Sequence, residues 1–140
     1  MAESARIHGV DPARITFAER VPRVEDHLAR YRLADVFIDT FPYNGHTTAG
    51  DALSAGLPVV SLCGGSFASR VAASLLHDMG LPEMACYSYQ EYYNKALLMA
   101  TDRAIQSYYK EQLKSRMEEK LWPPTTVTQA AAMRQVLINL

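Results

Sequence analysis

Two cysteines, Cys63 and Cys86, are all the chain has in 140 residues. They form no CxxC pair and stand in no zinc-type spacing with histidine, which excludes a zinc ribbon and a thioredoxin-type redox motif. Two buried thiols in a reducing compartment are the expected state. No uninterrupted apolar run approaches the ~20 residues that cross a bilayer. The opening Met-Ala-Glu-Ser-Ala-Arg lacks the apolar core of a signal peptide. A soluble, cytoplasmic protein with no membrane partner is expected. An excess of charge of one sign is missing too: 14 Lys and Arg stand against 15 Asp and Glu. That excludes the basic footprint of a nucleic-acid binder. It does not exclude a phosphate ligand, because a helix N-terminus binds phosphate without a basic surface. Neither G-x-G-x-x-G nor G-K-[ST] occurs, so dinucleotide and P-loop fingerprints are absent.

What is present reads as one globular domain. A chain of this length buries about two-thirds of its unfolded surface, enough for a core. A short helix is expected before Gly9, then a strand at 15–18 (Ile-Thr-Phe-Ala). Val24, Leu28 and Tyr31 repeat at helical spacing over 24–33. Residues 34–39 make a nearly continuous apolar run of the buried parallel-strand kind. A loop over 40–46 leads to a helix at 47–55 with Gly56 as its stop, and 57–63 gives the next strand. A second tight loop, 63–66, starts a helix at 67–79. Residues 84–87 suggest a last short strand. Helices at 90–100 and 102–121 follow, the latter with Ile105, Tyr109, Leu113, Met117 and Leu121 on one stripe. Pro123-Pro124 breaks the chain before a final helix at 126–139. Strands alternating with helices predict an α/β fold, a Rossmann-like parallel sheet with helices on both faces. Such folds bind ligands beyond the carboxyl ends of their strands, where both loops lie.

The loop Asn44-Gly45-His46-Thr47-Thr48 carries the strongest local signal. Asn-Gly favours a tight turn, and Thr47 or Thr48 can cap the next helix. The resulting helix start can attract phosphate, or serve as a plain turn and cap. Asp51, one turn on, can accept bonds from a ribose diol or merely favour the helix dipole. His27 and Arg30 lie beside the apolar stripe of their helix. They suit either a base contact or a solvated face. Gly64-Gly65-Ser66 and Arg70 offer a second anion contact, or a tight turn with Arg70 in an ion pair. Tyr87, Tyr89, Tyr92, Tyr93, Tyr108 and Tyr109 read as interhelical packing. Trp122 reads as an anchor for the chain reversal.

The stretch from Leu33 through Thr40, the N-G-H-T-T segment, Asp51-Ala52-Leu53, and Phe67-Ala-Ser-Arg-Val-Ala-Ala-Ser74 together resemble a known family. They are similar to the C-terminal catalytic lobe of the O-linked N-acetylglucosamine (O-GlcNAc) transferases, including bacterial homologues with tetratricopeptide repeats. The resemblance is strongest over about residues 15–80. It implies the C-terminal half of a two-lobed GT-B glycosyltransferase with UDP-N-acetylglucosamine (UDP-GlcNAc) as donor, a Ser or Thr hydroxyl of a protein as acceptor, and neither metal nor cofactor. It assigns the UDP pyrophosphate to His46, Thr47 and Thr48, the ribose to Asp51, the uracil to His27 and the base edge to Arg30. Asn44, Gly45 and Arg70 are further candidate contacts, and no residue is assigned as catalytic. Two positions depart from the animal members: Val24 replaces a lysine, with Arg23 adjacent, and Tyr43 replaces a cysteine. The N-terminal lobe, its proposed acid–base histidines, the donor-phosphate lysine and the repeats have no counterpart. The resemblance therefore implies a nucleotide-sugar-binding unit over 1–122, an incomplete lobe, and a separate C-terminal helix over 123–140. Such a fragment is expected to be inactive alone, to self-associate, and to work with the missing lobe. The alternatives are a GT-B relative using another UDP-sugar, and a degenerate oligomerisation or interaction module.

Overall fold

The computed structural model describes residues 2–118. Its sheet has three short parallel strands in the order β1-β2-β3: Phe37–Ile38, Val59–Leu62 and Ala85–Cys86. The central strand β2 is buried along its whole length, as its Val-Val-Ser-Leu composition requires. Helix α1 (Ala2–Ile7) precedes α2 (Val24–Tyr31), and α3 (Thr47–Ser54) and α4 (Val71–Asp78) are the two crossovers. Both crossovers run toward the same edge of the sheet, so right-handed connection puts α3 and α4 on one face, where they touch each other. Helix α5 (Tyr89–Thr101) packs on β2 and β3, and α6 (Arg103–Glu118) packs on α5, covering the opposite face. The result is the expected α/β sandwich of a parallel sheet between helices.

The core is centred on β2. Leu53 from α3, Leu76 from α4, Met99 from α5 and Leu113 from α6 are all fully buried around Val59 and Val60. Ile105, Tyr109 and Leu113 form the inward stripe of α6, as their spacing predicts, while Met117 is exposed. Gly56 and Gly80 follow α3 and α4 at positive φ (81° and 68°), the left-handed positions that end a helix. Ser88 caps α5 by accepting from the Glu91 amide (3.2 Å), and Glu91 reaches back to the Tyr87 amide (2.8 Å). Ser88→Ala should lower stability by about 1 kcal/mol. Urea melts of the two chains check this.

Several elements differ from the sequence reading. Residues 15–18 form no strand, and Phe17 is 67% exposed. Strand β1 is bonded only to β2, and no described segment pairs with its other edge, so the alternating pattern at 15–18 has no ladder to join. The strand expected at 34–39 is reduced to Phe37–Ile38, although the Asp39 amide still donates to the Val60 carbonyl. The helix expected at 67–79 divides at Arg70, whose backbone leaves the helical region (φ -124°), into a 3-10 turn (Phe67–Ser69) started by a reciprocal Ser66–Ser69 cap, and α4. Val24 is exposed rather than part of an inward stripe. Of the tyrosines, Tyr109 is buried and Tyr92 half-buried, but Tyr87, Tyr89, Tyr93 and Tyr108 are exposed. Trp122, the Pro123-Pro124 break and the helix expected at 126–139 lie outside the described residues. Cys63 and Cys86 are both free; burial pushes the Cys86 thiol above its ordinary range, whereas Cys63, expected to be buried, is only partly so because it lines an open cavity. Among the described residues no helix is long and apolar enough to cross a membrane.

Candidate functional site

The loop between β1 and α3 is built on a buried carboxylate. Asp39 directly follows β1 and is 4% exposed. Its Oδ1 accepts from the amides of Thr40 (2.9 Å) and Gly45 (2.6 Å), and its Oδ2 from the Ser61 hydroxyl (2.6 Å). The Tyr92 hydroxyl donates to the Asp39 carbonyl from α5. Burial, and then the charge of Asp39, raises the Tyr92 phenol above its ordinary value. Asn44 is buried and donates from Nδ2 to the Thr40 and Leu62 carbonyls (3.0 and 3.2 Å), while its Oδ1 has no partner. Gly45 has no room for a side chain: a Cβ there would lie 2.5 Å from Thr48 Oγ1 and 3.1 Å from Asp39 Oδ1. The loop is thus pinned to the sheet on both sides of Tyr43.

Helix α3 starts where this loop ends. His46, not Thr47 or Thr48, is the N-cap residue, and its side chain makes no cap hydrogen bond. Thr47 and Thr48 are the first two helical residues and are exposed. The first-turn amides are therefore left without a side-chain cap, with their partial positive charge at the carboxyl edge of the sheet. The His46 ring stacks on Tyr43 (centroids 4.9 Å, planes 19° apart) and meets Phe67 edge-on (6.0 Å, 85°). Its Nε2 lies 3.4 Å from the Ala68 carbonyl.

One turn into α3, Asp51 meets α2. Asp51 Oδ2 and His27 Nε2 are 3.4 Å apart, both partly exposed. Tyr31 packs edge-on against His27 at 5.3 Å, and its phenol is raised by burial, then by the charge of Asp51. Arg30 donates from Nη1 to the Glu19 carbonyl (2.6 Å), while its Nε is buried without a partner. His27, Arg30, Val21 and Arg20 line one cleft of about 470 Å³ against the segment before α2. Six of the sequence candidates thus fall on two adjoining elements: His27 and Arg30 on α2, and His46, Thr47, Thr48 and Asp51 at the start of α3. Arg70 does not join them. It immediately precedes α4 as its N-cap residue, makes no ion pair among the described residues, and opens on a separate cavity of about 270 Å³ with Cys63, Ser74 and His77. Asp39 and Ser61, which hold the loop in place, carry no assignment in the sequence reading, and Tyr92, read there as interhelical packing, joins them through its hydroxyl. The available signal was an acid at the carboxyl end of an apolar strand, just before an Asn-Gly loop. No three His, Cys, Asp or Glu side chains converge as a metal site among the described residues.

The family model of glycosyl transferase family 41 matches residues 1–130. The chain belongs to that family. A UDP-N-acetylglucosamine–peptide N-acetylglucosaminyltransferase of Caenorhabditis elegans is 46% identical over 94 residues, 67% of this chain and 8% of that protein. A probable enzyme of the same name, SEC of Arabidopsis thaliana, is 40% identical over 115 residues, 81% of this chain and 12% of that one. A solved O-GlcNAc transferase mutant from Thermobaculum terrenum superposes with a TM-score of 0.85 at 31% identity, over 96% of this chain and 26% of that one. The family 41 chain therefore has the α/β fold of a GT-B lobe, and it spans a small part of the length of these relatives.

Proposed function

We propose that this family 41 chain is the UDP-sugar-binding part of a protein O-GlcNAc transferase, with UDP-GlcNAc as donor and a Ser or Thr hydroxyl as acceptor. The observation that carries the reading is the meeting of His27 and Asp51 at 3.4 Å beside the uncapped start of α3. In this reading the amides and side chains of Thr47 and Thr48, with His46, hold the pyrophosphate. Asp51 accepts from the ribose hydroxyls, and His27 packs on the uracil. The buried, unpartnered Nε of Arg30 supplies a donor for the base side of the cleft. Asn44 and Gly45 shape the loop, and Arg70 is a further anion contact outside this cluster. Stabilising the departing UDP is the electrostatic share of catalysis. The binding unit falls within residues 1–122, and the separate helix expected over 123–140 lies outside the described residues. Acid–base chemistry and acceptor choice belong to the N-terminal lobe and tetratricopeptide region of a longer protein, so the chain alone transfers sugar slowly or not at all.

Tyr43, standing where animal members carry a cysteine, favours one second reading, a relative that takes a different UDP-sugar. Calorimetry tests the uridine assignment that both readings share. UDP should bind, ADP should bind more weakly, and UDP-GlcNAc should compete with UDP. Equal binding of UDP and ADP, or none of either, contradicts the uridine assignment. Self-association is also expected, because Ile7, Phe17, Val24 and Leu33 are each at least two-thirds exposed. Light scattering should show a mass that rises with concentration; a constant monomer mass contradicts this.

A further inference from the structure

His46 sits between two aromatic side chains that the rest of the fold does not use. Tyr43 lies nearly parallel to the imidazole, and Phe67 meets it at close to a right angle. Both rings are largely exposed, Tyr43 at 65% and Phe67 at 81%, so neither is placed by burial in the core. They come from different loops, and those loops are fixed to one another. The Asn44 amide donates to the Ala68 carbonyl (2.9 Å), the same oxygen that lies 3.4 Å from His46 Nε2. The Thr40 hydroxyl donates to the Tyr43 carbonyl (2.6 Å), which sets the backbone under the first ring. The reciprocal Ser66–Ser69 cap sets the 3-10 turn under the second. An imidazole at a helix start turns freely about two side-chain torsions unless something brackets it. Here one aromatic face and one aromatic edge bracket it.

We propose that Tyr43 and Phe67 are positioning residues that hold the His46 imidazole in its ligand-binding orientation at the start of α3. The proposal rests on the UDP-sugar reading above. Ordering the ring before the ligand arrives removes a cost that binding would otherwise carry. An aromatic pair contact of this kind is worth about a threefold to tenfold change in affinity. The hydroxyl of Tyr43 has no part in the device, so phenylalanine should replace it.

The test uses the 140-residue chain with UDP as probe, comparing the native protein with Tyr43→Ala, Tyr43→Phe and Phe67→Ala. In the native chain the His46 ring protons should be shifted upfield by the Tyr43 ring current. Tyr43→Ala should abolish that shift and weaken UDP about threefold to tenfold, with the melting temperature unchanged. Tyr43→Phe should restore both the shift and the affinity. Phe67→Ala should weaken UDP while the Tyr43 stacking shift remains. A native chain that binds UDP while Tyr43→Ala binds it equally well overturns the proposal alone. A native chain that binds no UDP overturns the donor-binding reading and the proposal with it.

Discussion

Asp39→Ala should destabilise the fold by about 3 kcal/mol or more. The carboxylate is buried and serves three donors, from Thr40, Gly45 and Ser61. Truncation leaves the fully buried Ser61 hydroxyl and the Gly45 amide without their acceptor. Each orphaned buried group costs about 1–3 kcal/mol. The lost desolvation penalty of the carboxylate offsets part of this, which sets the estimate at the lower end of the sum. Asp39→Asn keeps one acceptor oxygen for the two amides, and the Ser61 hydroxyl can rotate to accept from the new amide group. Its cost should therefore be about 1 kcal/mol. Urea denaturation of the three proteins orders them. An Asp39→Ala chain within 0.5 kcal/mol of native, a typical bound for an inert surface change, would show that the network does not hold the loop.

Asp51→Ala should weaken UDP binding by about 1–3 kcal/mol, the range for hydrogen bonds to a charged group. Asp51 has two roles to separate, because it also faces His27 at 3.4 Å. A UDP analogue lacking both ribose hydroxyls separates them. If Asp51 clamps the ribose, the substitution should cost almost nothing with the analogue, which makes the comparison a double-mutant cycle across the contact. If Asp51 acts only by holding α2 through His27, both ligands should weaken equally. Equal losses therefore contradict the ribose clamp. Glu111→Ala, at an exposed carboxylate of α6, is the control and should leave both affinities unchanged.

The parts of the fold legible in sequence were those set by local pattern. The apolar run of β2, the helical stripe of α6, and the glycines after α3 and α4 each announce their own structure. The missing strand at 15–18 shows the limit, because a strand is defined by its neighbour, and alternation alone supplies none. The site was legible at the start of α3, where Asn44-Gly45 and the threonines are contiguous. Its support was not. Asp39 is bonded to Ser61 and Tyr92, 22 and 53 positions away, and no local pattern announces such a pairing. His27 and Asp51 each read as a solvated helix residue when taken singly. Only the packing of α2 on α3 brings them together. Tyr89, Tyr93 and Tyr108 face solvent because they fall off the inward faces of α5 and α6, where Tyr92, Met99, Ile105, Tyr109 and Leu113 take the core positions, and Tyr87 precedes α5.

The central claim is that α2 and the start of α3 form one UDP site. Titration of the isotopically labelled chain with UDP, followed by amide NMR, tests it most directly. Saturable shifts should concentrate at His27, Arg30, Gly45, His46, Thr47, Thr48 and Asp51, with little change along α6. Saturable shifts centred instead on the Arg70 and His77 cavity, or no shifts at millimolar UDP, would contradict it.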